Sequence, residues 1–197
     1  MLKFSTMRVI TFDIETSNTF DEVASPNAAD LDLAVICIHD SETGEITSYL
    51  QEDLSKLWPI IEKADSLVGW NSDHFDIPLL NKYYDGDLTK IKSVDLMAEL
   101  KKTAGRRIKL DYVAQGSLGE AKSADGLQSI IWWRQGKIDE VIEYCRQDVN
   151  VTRKIYDYAI KNGSLKFIKD GMTEEFPVDT SAWEKKEEKE FTPQTLF

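Results

Sequence analysis

Cysteine and histidine are nearly absent from this chain: among 197 residues there are two of each, Cys37 and Cys145, His39 and His74. That scarcity excludes a disulfide framework and a zinc site of cysteine and histidine ligands at motif spacing. The two thiols read as reduced and buried. No apolar run approaches the roughly 20 residues of a membrane span, and the first residues lack the layout of a signal peptide. A cytoplasmic location with no membrane partner is expected. The ten glycines nowhere form the loop that cradles phosphate groups. Basic side chains are short too, 24 Lys and Arg against 35 Asp and Glu, for a net charge of −11 and a pI near 4.7. Such a balance excludes a protein that coats nucleic acid electrostatically.

What the chain does have is 42% apolar residues, with five Trp, eight Phe and seven Tyr, which argues against disorder. Its length predicts one domain with a short appendage. Val9, Ile10, Thr11 and Phe12 are β-branched or aromatic and suit a buried strand near the middle of a sheet. Residues 17–32 are small and polar and read as a loop folded over a site. LDLAVICIHD (31–40) and EITSYL (45–50), separated by SETG, carry a hairpin signal with Gly44 in the turn. Residues 53–65 predict a helix that Pro59 confines or kinks. SLVGW (66–70) is a short strand, followed by a helix capped by Ser72 or Asp73 that turns Phe75, Leu79, Leu80 and Tyr83 inward. A small strand near Ile91 leads to Asp95, and short helices are expected after it and within 110–118 and 125–134. The strongest helix is 137–161, where Ile138, Val141, Ile142, Cys145, Val149, Thr152, Tyr156 and Ala159 form one stripe and Gly163 ends it. Strands first, with helices between and after, predict an α/β fold with a mixed central sheet flanked by helices.

Chemistry concentrates on acids. Asp13 and Glu15 lie two apart on the first strand, so both project to one side. Ionised carboxylates that close repel, and a bound cation relieves them; oxygen clusters of this kind suit hard divalent ions. The spacing alone is unspecific, since Asp30/Asp32 and Asp85/Asp87 repeat it in polar turns. Asp76 follows a strand at the start of a helix. Tyr144 and Asp148 are about 40° apart around the long helix, at the edge of its apolar stripe. KKTAGRRIK (101–109) supplies five basic residues, Arg106 and Arg107 among them, with no acid in between. Taken alone the stretch reads as a solvated loop, and Arg106 and Arg107 are candidates to contact a substrate.

FDIET, NSDHFD and YCRQD, in that order, resemble the three exonuclease motifs of the DEDD, or DnaQ-like, 3′–5′ exonucleases, over about residues 7 to 160. GWNSDHFDIPLL is similar to the second motif of the proofreading domain of family B DNA polymerases, and LDYVAQGSLGEAK (110–122) to the segment before the third. The resemblance implies a ribonuclease-H-like fold over 1–163 and a phosphodiester hydrolase acting on 3′ ends of single-stranded DNA or RNA, DNA favoured. It implies that Asp13, Glu15, Asp76 and Asp148 hold two Mg²⁺ or Mn²⁺ ions about 4 Å apart. One branch of the family has histidine five positions before the last Asp, where this chain has Glu143. The other has tyrosine four before it, where this chain has Tyr144, so the tyrosine branch is implied, with Tyr144 orienting the attacking water. Thr16 and Asn71 are candidates to contact the terminal nucleotide. Ser17 and Asn18 stand where the family often has glycine, which departs from its pattern around that nucleotide. An inactive binding module on the same scaffold is the rival reading; such domains usually drop one of the acids, and here all four and the tyrosine are present.

Beyond the core, 164–183 predict an appended hairpin about Asp170-Gly171, and 184–190 are seven charges in a row, expected to form a solvated tether. The final Gln194, Thr195, Leu196 and Phe197 resemble a shortened form of the peptides by which bacterial DNA-processing enzymes bind the sliding clamp. That makes a clamp a candidate partner.

Overall fold

A computed structural model describes residues 7–120 and 126–186. The clamp-like residues Gln194 to Phe197 and most of the charged run lie outside the described residues. Five strands form the central sheet: β1 Val9–Thr16, β2 Leu33–Asp40, β3 Ile46–Leu50, β4 Ser66–Gly69 and β5 Ser93–Asp95. Their order is β3-β2-β1-β4-β5. The expected hairpin is β2–β3, antiparallel, and β1 runs antiparallel to β2 but parallel to β4. Strand direction therefore changes at β1. Pairing of β1 with β4 covers only Val9 to Thr11, whereas pairing with β2 continues to Thr16 across a bulge at Glu15/Thr16. The second half of β1 thus outruns its parallel neighbour.

Period-two alternation on β1 assigns its two faces. Ile10, Phe12 and Ile14 join Ile36, Ile38 and Leu67 in one core, closed by α1 (Leu54–Ile61) and α2 (Asp76–Leu80). The opposite face carries Val35 and Cys37 against Val141, Cys145 and Val149 of the long helix. Chain order supplies α3 (Leu96–Ala104), α4 (Leu110–Val113), a wide turn over Ala114–Leu118, α5 (Gly126–Arg134) and that long helix, α6 (Ile138–Asn162). The protein is α/β, a mixed sheet with helices on both faces. Among the described residues no helix is long and apolar enough to cross a membrane.

Of three details of the helices, the last two differ from expectation. Pro59 lies inside α1, and the helix continues past it, with the Glu62 N–H donating to the Trp58 carbonyl at 2.9 Å. Neither Ser72 nor Asp73 caps α2, which begins only at Asp76. The chain turns too tightly to start a helix earlier: a Cβ on Gly69 would stand 2.4 Å from the Cβ of Ser72, and Asn71 has φ 61°. On α6 the buried stripe is shifted, with Tyr144, Asp148 and Ile155 buried and Ile138 and Ile142 only half-buried. Gly163, at φ 66°, ends the helix as its sequence position suggests.

The C-terminal hairpin, β6 (Ser164–Lys169) and β7 (Met172–Pro177), turns through Asp170 and Gly171 at φ 53° and 76°, both positive as a two-residue hairpin turn requires. Leu165 and Phe167 enter the core shared with Ile155, Tyr156 and Ala159 of α6. Trp183 stacks on Tyr156 with centroids 5.4 Å apart, and the Lys92 ammonium donates to the carbonyls of Ala182 and Lys185. Gly116 sits where the wide turn meets this hairpin, and a Cβ there would lie 2.5 Å from the Phe167 Cα. Backbone cannot yield as a side chain can. Gly116→Ala should therefore cost about 1–3 kcal/mol of stability, read as a lower urea midpoint. An unchanged midpoint would show that the contact is not tight in solution.

Candidate active site

A cleft of about 340 Å³ opens where β1 outruns β4. Asp13 and Glu15 share the face of β1 that looks toward α6, opposite Cys37 and Val35 in the register with β2. Asp148 arrives from α6. One carboxylate oxygen from each of Asp13, Glu15 and Asp148 lies within 4.8 Å of the others. Glu15 is 8% exposed and Asp148 7%, so water screens them poorly. Three acids this close are comfortable only with protons or a cation, and an all-oxygen donor set fits a hard divalent ion.

Asp76 lines the same cleft but stands outside that trio. It is the first residue of α2 and is buried, with its own backbone N–H and that of Ile14, between Asp13 and Glu15, near its carboxylate. Burial pushes its pKa up to about 8, the charge of Asp95 adds to the rise, and the two N–H donors oppose it. Burial thus favours the protonated form of this acid over the charged one.

Tyr144, one turn before Asp148, is buried at the cleft wall with the edge of its ring against Trp132, centroids 6.2 Å apart. The Cys145 thiol between them donates to the carbonyl of Asp13 at 3.2 Å, and burial raises its pKa well above the usual thiol value. It is a structural thiol, as is Cys37, which donates to the Ile142 carbonyl.

Thr16 and Asn71 both line the cleft. The Thr16 hydroxyl donates to the Asn18 carbonyl at 2.9 Å. The left-handed backbone of Asn71 is held by its N–H, which donates to Asp95 at 2.8 Å, while its side-chain Oδ1 is buried with no hydrogen-bond partner among the described residues. Among the described residues that buried acceptor is unsatisfied, and Asn71 lines the cleft. Arg106 goes elsewhere: it pairs with Glu174 of β7 at 2.7 Å and lies over the Phe167 ring. Neither it nor the exposed Arg107 lines the cleft.

Several residues of the site had no role assigned by sequence reasoning. Asp95 accepts from the N–H groups of Asn71, Asp73, Met97 and Ala98, so one carboxylate caps α3 and pins the loop before α2. An acid between a strand and a helical pattern is a cap signal, and that was its one trace in the sequence. The Ser129 hydroxyl of α5 donates to Glu15 Oε2 at 2.5 Å. A lone serine in an apolar helix gives no signal. Phe20 and Leu127, two of the four exposed large apolar side chains among the described residues, stand on the cleft lining. The loop bearing Phe20 is tied to α5 by Glu22 and Arg134.

A mixed α/β sheet whose central strand and long helix bring carboxylates together at a cleft, close enough that they could share a metal ion, defines the class. Residues 10–160 match the family model of the RNase H superfamily, and the chain belongs to that superfamily. Its fold is similar to part of the family B DNA polymerase from the hyperthermophilic archaeon Pyrobaculum calidifontis. The TM-score is 0.61 at 18% identity, over 78% of this chain and 24% of the polymerase. The chain thus spans about a quarter of that protein. No curated protein matches it.

Proposed function

We propose that the protein is a metal-dependent 3′–5′ exonuclease of the tyrosine branch, removing terminal nucleotides from single-stranded nucleic acid, DNA in preference. The observation that carries this reading is the convergence of Asp13, Glu15 and Asp148 within 4.8 Å, in a cleft also lined by Asp76 and Tyr144. Membership of the RNase H superfamily supports it. Asp13, Glu15 and Asp148, with Asp76 beside them, are the residues that would hold two Mg²⁺ or Mn²⁺ ions. Bound there, such ions supply Lewis acidity at the attacking and leaving oxygens of the phosphodiester.

The remaining work falls to this chain's own groups. Tyr144 orients the attacking water from the cleft wall. The Asn71 Oδ1 and the Thr16 hydroxyl hold the terminal nucleotide. Phe20 and Leu127 offer apolar surface to its base, a contact indifferent to sequence because every base has an apolar face. A cleft of this size admits a frayed end rather than a duplex. The test uses 5′-labelled single-stranded DNA and RNA of one sequence, with Mg²⁺ and with Mn²⁺. The expected result is a ladder shortening from the 3′ end, faster on DNA. No shortening with either metal would overturn the reading.

Arg106 and Arg107 are proposed to bind the strand upstream of its end. The Arg106–Glu174 pair is exposed and contributes at most about 1 kcal/mol, so replacing both arginines leaves the fold standing. Arg106→Ala with Arg107→Ala should raise KM for a long oligonucleotide several-fold and leave kcat nearly unchanged. An unchanged KM would return the segment to an ordinary solvated loop. Repair or proofreading in trans fits such an enzyme, and attachment to a sliding clamp through Gln194 to Phe197 would raise its effective concentration at DNA.

A further inference from the structure

We propose that Ser129 is a positioning residue for Glu15, fixing its carboxylate and so setting how tightly the acid cluster takes a divalent cation. The inference rests on the metal reading above. Ser129 is fully buried, on a helix whose neighbouring residues Ile130, Ile131, Trp132 and Trp133 are apolar. A hydroxyl buried there costs free energy unless it finds a partner. Its partner is Glu15 Oε2, 114 residues away in the chain. A serine hydroxyl has a single proton to donate, so it engages one carboxylate oxygen and thereby sets the plane of the group.

Glu15 needs that restraint. Its side chain is longer than those of Asp13 and Asp148, it stands at the bulge between Glu15 and Thr16, and both neighbouring acids repel it. Loss of the Ser129 hydroxyl removes one restraint on rotation of Glu15 away from the two neighbouring carboxylates. A lysine or arginine would also restrain it, but its positive charge would repel the cation that the cluster is built to take. A neutral hydroxyl restrains without competing. Helix α5 is itself located by other contacts, Arg134 on Glu22 and Trp132 on Tyr144, so the hydroxyl is presented from a fixed support. Ser129 does not line the cleft and touches no substrate.

The experiment is calorimetric titration of Mn²⁺ into the metal-free full chain, comparing the unaltered protein with Ser129→Ala, Ser129→Thr and Ser129→Cys. Donors behind metal-binding carboxylates typically account for 10- to 100-fold in affinity, so Ser129→Ala should weaken Mn²⁺ binding by roughly 10- to 100-fold. Ser129→Thr, which keeps the hydroxyl, should bind closer to the unaltered protein than to the alanine variant. In nuclease assays the alanine variant should need more metal for half-maximal activity, with KM for the oligonucleotide unmoved. A packing role would lower the melting temperature and leave Mn²⁺ affinity alone, and that outcome overturns the proposal. If the alanine variant does not fold, the cysteine variant decides, being nearly isosteric but a weak donor; unaltered affinity there also overturns it. Should the unaltered protein itself take up no Mn²⁺, the metal reading falls and this inference with it. Normal uptake with unchanged Ser129 variants sinks only the inference.

Discussion

Asp148→Asn is expected to abolish degradation from the 3′ end, with a loss of at least about 10³-fold, while the protein remains folded. The amide is isosteric with the carboxylate, so the buried face of α6 around Cys145, Val149 and Thr152 keeps its packing. What disappears is one of three charges gathered within 4.8 Å. In the metal-free protein the isosteric variant should melt close to the unaltered chain. Added Mg²⁺ should raise the melting temperature of the unaltered chain, since it binds the folded form, and should raise that of the variant much less. The two measurements work together. Lost activity with a normal melting temperature locates the defect at the metal site. Full activity in Asp148→Asn would refute both the site and the function proposed for it.

Tyr144→Phe should lower kcat by about 10²-fold, the low end of the range for a group that orients or transfers a proton. Phenylalanine keeps the ring and its edge-on contact with Trp132, so the wall of the cleft and the position of α6 stay as they are. The hydroxyl is all that goes. Because Tyr144 is proposed to act on water rather than on metal or strand, Mn²⁺ affinity and KM should hardly move. A weakened Mn²⁺ titration would make the tyrosine part of the metal support instead. Undiminished kcat would take away the reason for placing the chain in the tyrosine branch.

The acids on β1 were legible because period-two geometry needs only two residues to put side chains on one face. The long helix and the hairpin at Asp170-Gly171 were legible for a similar reason, periodicity in the first and obligatory positive φ in the second. Legibility failed where a residue answers to something distant in the chain. Asp76 stands at the start of a helix in the sequence, yet what surrounds its carboxylate, Ile14 of β1 and Asp95, comes from elsewhere in the chain. Ser72 and Asp73 carry cap chemistry and do not cap, because Asn71 turns left-handed under the hold of Asp95. Arg106 belongs to a visibly basic stretch, but only the docking of the hairpin brings Glu174 to it. Ser129 is the extreme case, a single hydroxyl whose meaning lies 114 residues upstream.

That separation also has a consequence in time. Asp13 and Glu15 are made early and Asp148 late, on a helix that ends only at Asn162. Until α6 has left the ribosome and laid itself across the sheet, the growing chain displays acids on a strand but no trio to hold a cation. The acid trio therefore comes into being after nearly all of its scaffold. An unfinished or shortened polypeptide that stops before α6 lacks the third of those carboxylates.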